Sequence, residues 1–208
     1  PKAGYVFDHW EVDGEIQSVD ESFTSVMPYK DTVFTAVFLP ENTKDTWNGQ
    51  TANVIYKLKD GSYLVTSGKQ LAWIAEQVNS GKNSFAKEKI VLGTNIDLNN
   101  LSWTPIGNDL NRPFKGTFNG NGKTISNLRV NLNTGSANTV LAGLFGVIDK
   151  DAKVQKLKLE NVNITAQIGI IDKHASYNYA GGLVAVNDGE IKNCSVKGQV
   201  TAQNGFTN

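Results

Sequence analysis

The sequence predicts a mainly β protein, in which a coil of short parallel strands with one helix at its N-terminal end follows a small β-rich module. Three observations predict this fold. From residue 90 onward, short apolar segments recur between Gly and Asn turns at a spacing that is neither helical nor heptad. One amphipathic helical pattern occurs, at residues 67–78. Before it, aromatic and β-branched runs alternate with turn signals.

The first module is predicted at residues 1–39. Its opening run, residues 4–12, is rich in aromatic and β-branched side chains. The run ends in Asp13-Gly14, a dipeptide typical of a tight hairpin turn, so a strand entering a hairpin is expected. A second strand-like run covers residues 32–38.

This module resembles the divergent internalin-type B repeat, a small β-rich extracellular unit found in tandem on bacterial surface proteins. The matching residues are Ala3-Gly4-Tyr5, Phe7-Asp8, Trp10, Met27-Pro28 and Thr35-Ala36-Val37-Phe38. The resemblance implies a core of Phe7, Trp10, Met27 and Phe38. The family's opening strand is missing, so the module is expected to be incomplete.

Residues 40–52 hold one large apolar side chain among many turn formers and are therefore predicted to be a linker. A second hairpin is expected around Asp60-Gly61. In the helix that follows, Ser67 and Gln70 have the spacing of a capping box, and residues 79–81 supply a stop. One helix face carries Leu71, Ile74, Ala75 and Val78. We expect this helix to cover the open end of the strand stack, where unpaired backbone groups would otherwise be exposed.

The internal repeat places apolar residues at positions 1, 4 and 6 of a short segment. Three segments align in this way: Ile125-Ser-Asn-Leu128-Arg-Val130, Val154-Gln-Lys-Leu157-Lys-Leu159 and Ile191-Lys-Asn-Cys194-Ser-Val196. The pattern fits two short strands that meet at a corner, with the apolar side chains stacked along a shared interior. Extra residues are expected to leave the coil as loops at 131–139 and 167–179.

The coil also resembles the GLUG motif of bacterial surface proteins. The likeness rests on Ala142-Gly-Leu144-Phe-Gly146 and Ala180-Gly-Gly-Leu183-Val-Ala185, with related pieces over roughly residues 62–202. The second copy ends in Ala185, where the family usually has Gly. The resemblance implies a right-handed parallel β-helix on an exported protein, with an adhesive or unassigned role. Residues 53–208 are predicted to be the N-terminal portion of such a helix, cut within its repeat.

Charge and composition argue against several partners. Twenty basic and twenty acidic residues cancel, so neither nucleic acid nor an acidic membrane surface is expected as a partner. The single cysteine, Cys194, cannot form an intramolecular disulfide. No apolar run approaches the ~20 residues of a transmembrane helix, so membrane insertion is not expected. We expect a monomeric fragment of an extracellular or cell-surface protein.

Residues capable of catalysis are scattered. The acids beyond residue 90 are Asp97, Asp109, Asp149, Asp151, Glu160, Asp172, Asp188 and Glu190. Most fall at predicted turns, where Asp is favoured because it hydrogen-bonds its own backbone, and their positions in the repeat do not coincide. His9 and His174 lie in different modules, which leaves a metal site or a catalytic relay without support. We therefore predict no catalytic residue, no metal site and no cofactor.

Three other features have structural interpretations. The Gly-rich segment Asn119-Gly-Asn-Gly122 lacks the strand–loop–helix context of a phosphate site, so we predict a turn between strands. Cys194 is predicted to be a small buried apolar residue, because no neighbouring basic residue is evident that would lower its pKa. Trp103 and Phe118 are assigned to the core or to an end cap rather than to sugar stacking.

The candidate binding residues are His174, Tyr177 and Tyr179, at the end of the predicted loop 167–179. Exposed Tyr beside Asn and Ser is typical of adaptable contact surfaces, including those that recognise carbohydrate. The alternative is that both tyrosines fold back onto the flank of the coil, and we favour this alternative.

Three functions remain open. The favoured one is a non-catalytic structural or adhesion segment that contacts a host protein or an extracellular glycan. The second is an accessory region of a large secreted protease, because GLUG-like repeats also occur in immunoglobulin-A proteases. The third is a glycan-acting β-helix enzyme, which requires aligned carboxylates on successive coils.

Overall fold

The computed structural model describes residues 2–19, 21–26, 31–40, 43–53, 55–134, 139–168 and 177–204. Within these ranges the chain is mainly β, with one helix. The strands up to the helix are β1 (Tyr5–Val12), β2 (Glu15–Ser18), β3 (Thr35–Pro40), β4 (Lys44–Thr46), β5 (Tyr56–Lys57) and β6 (Tyr63–Val65), and the helix is α1 (Gly68–Asn79). The strands of the following coils are β7 (Lys89–Leu92), β8 (Asn95–Asp97), β9 (Thr117–Asn119), β10 (Thr124–Ser126), β11 (Arg129–Thr134), β12 (Thr139–Ala142), β13 (Phe145–Ile148), β14 (Lys153–Gln155), β15 (Lys158–Ile168), β16 (Tyr177–Ala180), β17 (Val184–Asn187), β18 (Glu190–Lys192) and β19 (Ser195–Asn204).

The N-terminal module is a three-stranded antiparallel sheet in the order β2-β1-β3. The predicted hairpin is confirmed, with Asp13 and Gly14 both at positive φ (52° and 80°), as this tight turn requires. Phe7 contacts Trp10 and Phe38, with ring centroids 5.7 and 5.8 Å apart.

The core predicted for this module is only partly buried. Phe7 and Trp10 are half-buried, and Phe38 is 40% exposed, because the described sheet has no second layer of its own to cover these rings. Met27 lies outside the described residues.

The remaining strands form two six-stranded sheets and two shorter pairs. Sheet 1 has the order β18-β14-β9-β7-β6-β5, and sheet 2 contains β4, β8, β10, β11, β15 and β19. Every pairing in these sheets is parallel except the β5–β6 hairpin predicted at Asp60-Gly61. β12 pairs with β16, and β13 with β17, also in parallel. From β7 onward, each passage of the chain therefore adds to both sheet 1 and sheet 2.

The inward residues stack in straight rows, but one predicted alignment is wrong. Val154 pairs with Ile191, as the repeat predicts. Ile125, however, pairs with Leu159, and the partner of Val154 in the preceding coil is Phe118. The strand–corner–strand pattern occurs at two different corners of each coil, so sequence similarity alone does not identify the corner.

The bend itself is confirmed at all three aligned segments. The third residue is Asn127, Lys156 or Asn193, with φ of 56°, 53° and 54°. This left-handed conformation is uncommon outside Gly and Asn. At Lys156 and Asn193 it turns the chain from sheet 1 into sheet 2, and at Asn127 it bends the chain between β10 and β11 of sheet 2.

Helix α1 begins as predicted. The Ser67 hydroxyl accepts a hydrogen bond from the Gln70 N–H at 3.3 Å. The reciprocal half of the predicted capping box differs, because the Gln70 carboxamide oxygen accepts from the Thr66 N–H at 2.7 Å. The predicted face is buried and joins the core of the coil through Leu71, Ile74, Ala75 and Val78.

The linker prediction for residues 40–52 is wrong in its central part. β4 adds a parallel strand to sheet 2, with Asp45 opposite Ile96. The Asp45 carboxylate accepts a hydrogen bond from the Gly68 N–H at 2.8 Å, at the start of α1. Trp47 is 6% exposed and packs edge-on against Trp103 at 5.6 Å. The composition of this strand gave no strand signal, because it is only three residues long and all three are polar.

The N-terminal module rests on the outer face of sheet 1. Ile16 and Val19 of the module pack with Leu58, Leu64 and Val91, and Val19 is 5% exposed. The contact is extended by the Asn121 side-chain amide, which donates to the carbonyl of Val19 at 3.1 Å.

The predicted loops at 131–139 and 167–179 are shorter than expected. β11 continues through Thr134 and β15 through Ile168, and the two pair in register over their full overlap. β19 extends alongside them in the same register. Their Asn and Gln residues look like turn formers in sequence, but here they take part in a parallel ladder.

Candidate functional site

Tyr177 and Tyr179 lie on the edge strand β16, opposite Thr139 and Leu141 of β12. Their positions differ by two, so the strand places both rings on the same outer face. The rings are nearly parallel, with centroids 6.2 Å apart and an interplanar angle of 14°. The residues are 54% and 38% exposed, so the favoured expectation that they fold back onto the flank is wrong. His174 lies outside the described residues.

Asn178 anchors the strand that carries this tyrosine pair. Its side-chain amide donates to the Ala166 carbonyl at 2.9 Å and to the Gln203 carbonyl at 3.0 Å. These bonds fix β16 to β15 and β19. The tyrosine pair therefore stands on a strand that is hydrogen-bonded to two neighbouring strands.

The described carboxylates beyond residue 90 are engaged separately. The Asp149 carboxylate accepts from the Asp151 N–H at 3.2 Å, which confirms the predicted turn role, and lies 3.4 Å from the Lys115 ammonium. Glu190 pairs with Lys153 at 3.2 Å. Within the described part of the chain, no group of three His, Cys, Asp or Glu side chains has the arrangement of a metal site.

Asp97 is the one buried carboxylate of the described coil, at 6% exposure. Burial raises its pKa, but hydrogen bonds from Lys44 at 2.7 Å, from Asn127 at 2.7 Å and from the Asn99 N–H at 2.8 Å outweigh this effect. The net result holds the pKa of Asp97 below its ordinary value of 3.8. The group is thus an ionised structural centre at a corner of the coil.

Of the residues assigned to structure, Trp103, Phe118 and the Gly-rich segment have the expected surroundings, whereas Cys194 is less buried than predicted. Trp103 and Phe118 are buried, and the Trp103 indole N–H donates to the Leu144 carbonyl at 3.1 Å. Cys194 packs against the core but is only half-buried. The Asn119 carboxamide accepts from the Asn121 N–H at 3.0 Å, so the Gly-rich segment forms the predicted turn.

Sequence reasoning missed one concave surface, here called the flank groove. It lies between Val19 and Glu21 of the module and Asn95, Thr124 and Lys158 of sheet 2, and its volume is about 1120 Å³. No local motif marks it, because its walls come from segments that are more than a hundred residues apart in the chain.

Two segments of the chain match known families of modules. Residues 1–42 match the model of the divergent InlB B-repeat domain, and residues 176–201 match the GLUG motif. Both resemblances are confirmed, so the chain contains a divergent InlB B-repeat followed by a GLUG motif. The GLUG match includes the second Gly-Leu segment and is narrower than the predicted range of 62–202.

Particular relatives are longer than this chain. A protein of Evansella cellulosilytica described as a Gly-rich membrane protein is 30% identical over 139 residues, which are 67% of this chain and 15% of the relative. Halomucin of Haloquadratum walsbyi is 32% identical over 120 residues, 52% of this chain and 1% of the relative. The chain thus spans a small fraction of either protein.

A solved structure described as an immunoglobulin A1 protease from Bacteroides ovatus aligns with a TM-score of 0.37 at 16% identity. The alignment covers 71% of this chain and 60% of the other.

In the described part of this chain, α1 is too short and too polar to cross a membrane.

Proposed function

We propose that this chain is a non-catalytic structural segment of a large cell-surface or exported protein. In this proposal it is folded as a right-handed parallel β-helix with α1 at its N-terminal end. The parallel, in-register pairing through sheets 1 and 2 supports the helix, and parallel crossovers are right-handed in nearly all proteins. The surface location is supported by the two module matches and by relatives described as a membrane protein and a halomucin.

We further propose that Tyr177 and Tyr179 form a contact surface for an extracellular glycan. The observation that carries this proposal is the exposed, parallel ring pair on a strand anchored by Asn178. Flat aromatic faces bind the apolar faces of sugar rings, and a fixed strand reduces the entropy lost on binding.

Calorimetry with cellohexaose and chitohexaose tests the contact surface. The double variant Tyr177→Ala/Tyr179→Ala is expected to bind about tenfold more weakly, a loss of ~1.4 kcal/mol. Tyr56→Ala is the matched control, since Tyr56 is 69% exposed on β5 at a distant edge. Equal weakening in both variants, or no binding by the unmodified chain, would contradict the assignment.

The absence of catalysis is tested with polygalacturonate, a substrate suited to a β-helix enzyme. We expect no bond cleavage by the chain. Turnover that disappears in Asp149→Asn or Asp151→Asn would show instead that these carboxylates act as an acid–base pair.

A further inference from the structure

The floor of the flank groove is an outward polar row on sheet 2. Lys44 pairs with Asn95 across neighbouring strands, and Thr124 pairs with Lys158 two strands further on. The Thr124 N–H also donates to the Asn95 carboxamide at 2.9 Å, which makes the row continuous. Neighbouring members are one strand spacing apart, about 4.8 Å, and the row runs along the axis of the coil.

The opposite wall is supplied by the N-terminal module. Val19, Glu21 and Ser22 line it, and Val19 is fixed by its apolar contact with sheet 1. A second link joins the two sides, since the Lys123 ammonium lies 4.0 Å from the Asp8 carboxylate. The groove therefore exists only because the module is docked against the coil.

Two of the four lysines that line the groove have no ion-pair partner among the described residues. Of its lysines, Lys44 pairs with Asp97 and Lys123 with Asp8. Lys156 and Lys158 also line the groove, are exposed, and form no ion pair with any described residue. Carboxylates are sparse in the lining, where Glu21 and Glu160 are the acidic members.

We propose that the flank groove binds a linear acidic polysaccharide that lies along the coil axis. The polar row repeats at about the length of one sugar ring, so successive rings can meet successive strands. The Thr124 hydroxyl offers a donor and an acceptor suited to sugar hydroxyls, and the ammonium groups of Lys156 and Lys158 suit the carboxylates of the polymer.

A densely charged polymer fits this groove less well. Glu21 and Glu160 would repel closely spaced phosphates, and the lining holds one aromatic residue, Phe7, where nucleic-acid grooves use several for base stacking. This site is separate from the tyrosine pair and does not depend on it.

Calorimetry with hexagalacturonate on the full 208-residue chain tests the site. Lys156→Gln/Lys158→Gln is expected to weaken binding at least tenfold. The matched control Lys69→Gln/Lys150→Gln removes the same charge from exposed positions on α1 and on a distant turn, and is expected to change the Kd less than twofold. Similar weakening in both variants would reduce the effect to general charge attraction and overturn the proposal.

A bulky substitution in the groove wall tests whether binding requires the shape of the groove or only the charge of its exposed lysines. Ser22→Trp fills the module wall without changing any charge, and circular dichroism confirms that the variant is folded. We expect it to weaken hexagalacturonate binding about tenfold while Tyr177→Ala/Tyr179→Ala leaves this binding unchanged. Unchanged binding in Ser22→Trp, or tighter binding of polyglutamate or single-stranded DNA than of hexagalacturonate, would reject the acidic polysaccharide as occupant.

Discussion

Two consecutive coils carry the same apolar pattern and differ sharply in burial. Val154, Leu157 and Leu159 are at most 1% exposed, whereas Ile191 and Val196, which stack directly on two of them, are 39% and 43% exposed. β14 has a described strand on both sides, while β18 has one on a single side. The direction of these side chains is therefore set by the pattern, and their burial is set by the neighbouring coil.

This difference implies nearest-neighbour energetics. In a stack of repeats, each coil is stabilised chiefly by the interface that it makes with the next. A substitution at a fully buried position should then cost more than the matching substitution at a more exposed position, and three pairs of variants measure this difference.

The largest effect is expected at position 4 of the pattern. Leu157→Asp should unfold the coil, because an unpaired charge in a fully buried position costs several kcal/mol, about 3–5. Cys194→Asp, at the equivalent place in the next coil, is expected to lower stability far less, since this residue is half-buried and the charge can reach water. Circular dichroism and thermal melting measure both variants. A native spectrum and melting point in Leu157→Asp would contradict its inward position.

A smaller effect is expected from removing apolar volume. Ile125→Ala should lower the free energy of unfolding by ~2–5 kcal/mol, because the side chain is fully buried and leaves a cavity. Ile191→Ala should cost about 1 kcal/mol or less, since much of that side chain is already in water. Urea denaturation of both variants gives the ratio, and equal losses would argue against control by the neighbouring coil.

The smallest effect concerns the outward polar rows and pH. The pKa of Asp97 is held below 3.8, so its ionised form stabilises the fold above that pH, and this contribution is lost as the pH falls through the folded-state value. Asp97→Asn should lower stability by ~1–3 kcal/mol at neutral pH and reduce the further loss on acidification to about pH 3.

Glu160→Gln is the matched control for this experiment. Glu160 lies in the same outward row as Asp97, because both residues pair with Ser126 on the strand between them. Its side chain, however, is 51% exposed. Urea titrations at both pH values provide the measurement. If acidification destabilises Asp97→Asn as much as the unmodified chain, another group controls the acid response. Glu88 is then the next to test, since burial raises its pKa but hydrogen bonds from Asn83, Tyr63 and Lys57 outweigh this and lower it.

Local features were predictable from the sequence. The Asp13-Gly14 and Asp60-Gly61 hairpins, the Ser67 cap and the corner at Asn127 each depend on the conformational preferences of one or two residues. Such preferences can be recognised from the residue types alone. The inward side chains of the coils follow from alternation in the same way.

Features that depend on distant partners were not predictable. β4 is recognisable as a strand only once β8 stands beside it, 51 residues later in the chain. The pairing of Ile125 with Leu159 rather than Val154 depends on which corner each segment occupies. The flank groove has the same origin, because no periodic signal links Val19 to the strand that carries Lys158.

The seating of Val19 against Leu64 and Val91 has a mechanical consequence. A B-repeat joined to the coil by a free tether would swivel and would transmit little torque. Here the connecting segment is itself a strand of sheet 2, and the apolar seat blocks rotation about it. A pulling force on the N-terminus would therefore reach the coil through a stiff joint, and the orientation of the module relative to the coil would stay fixed.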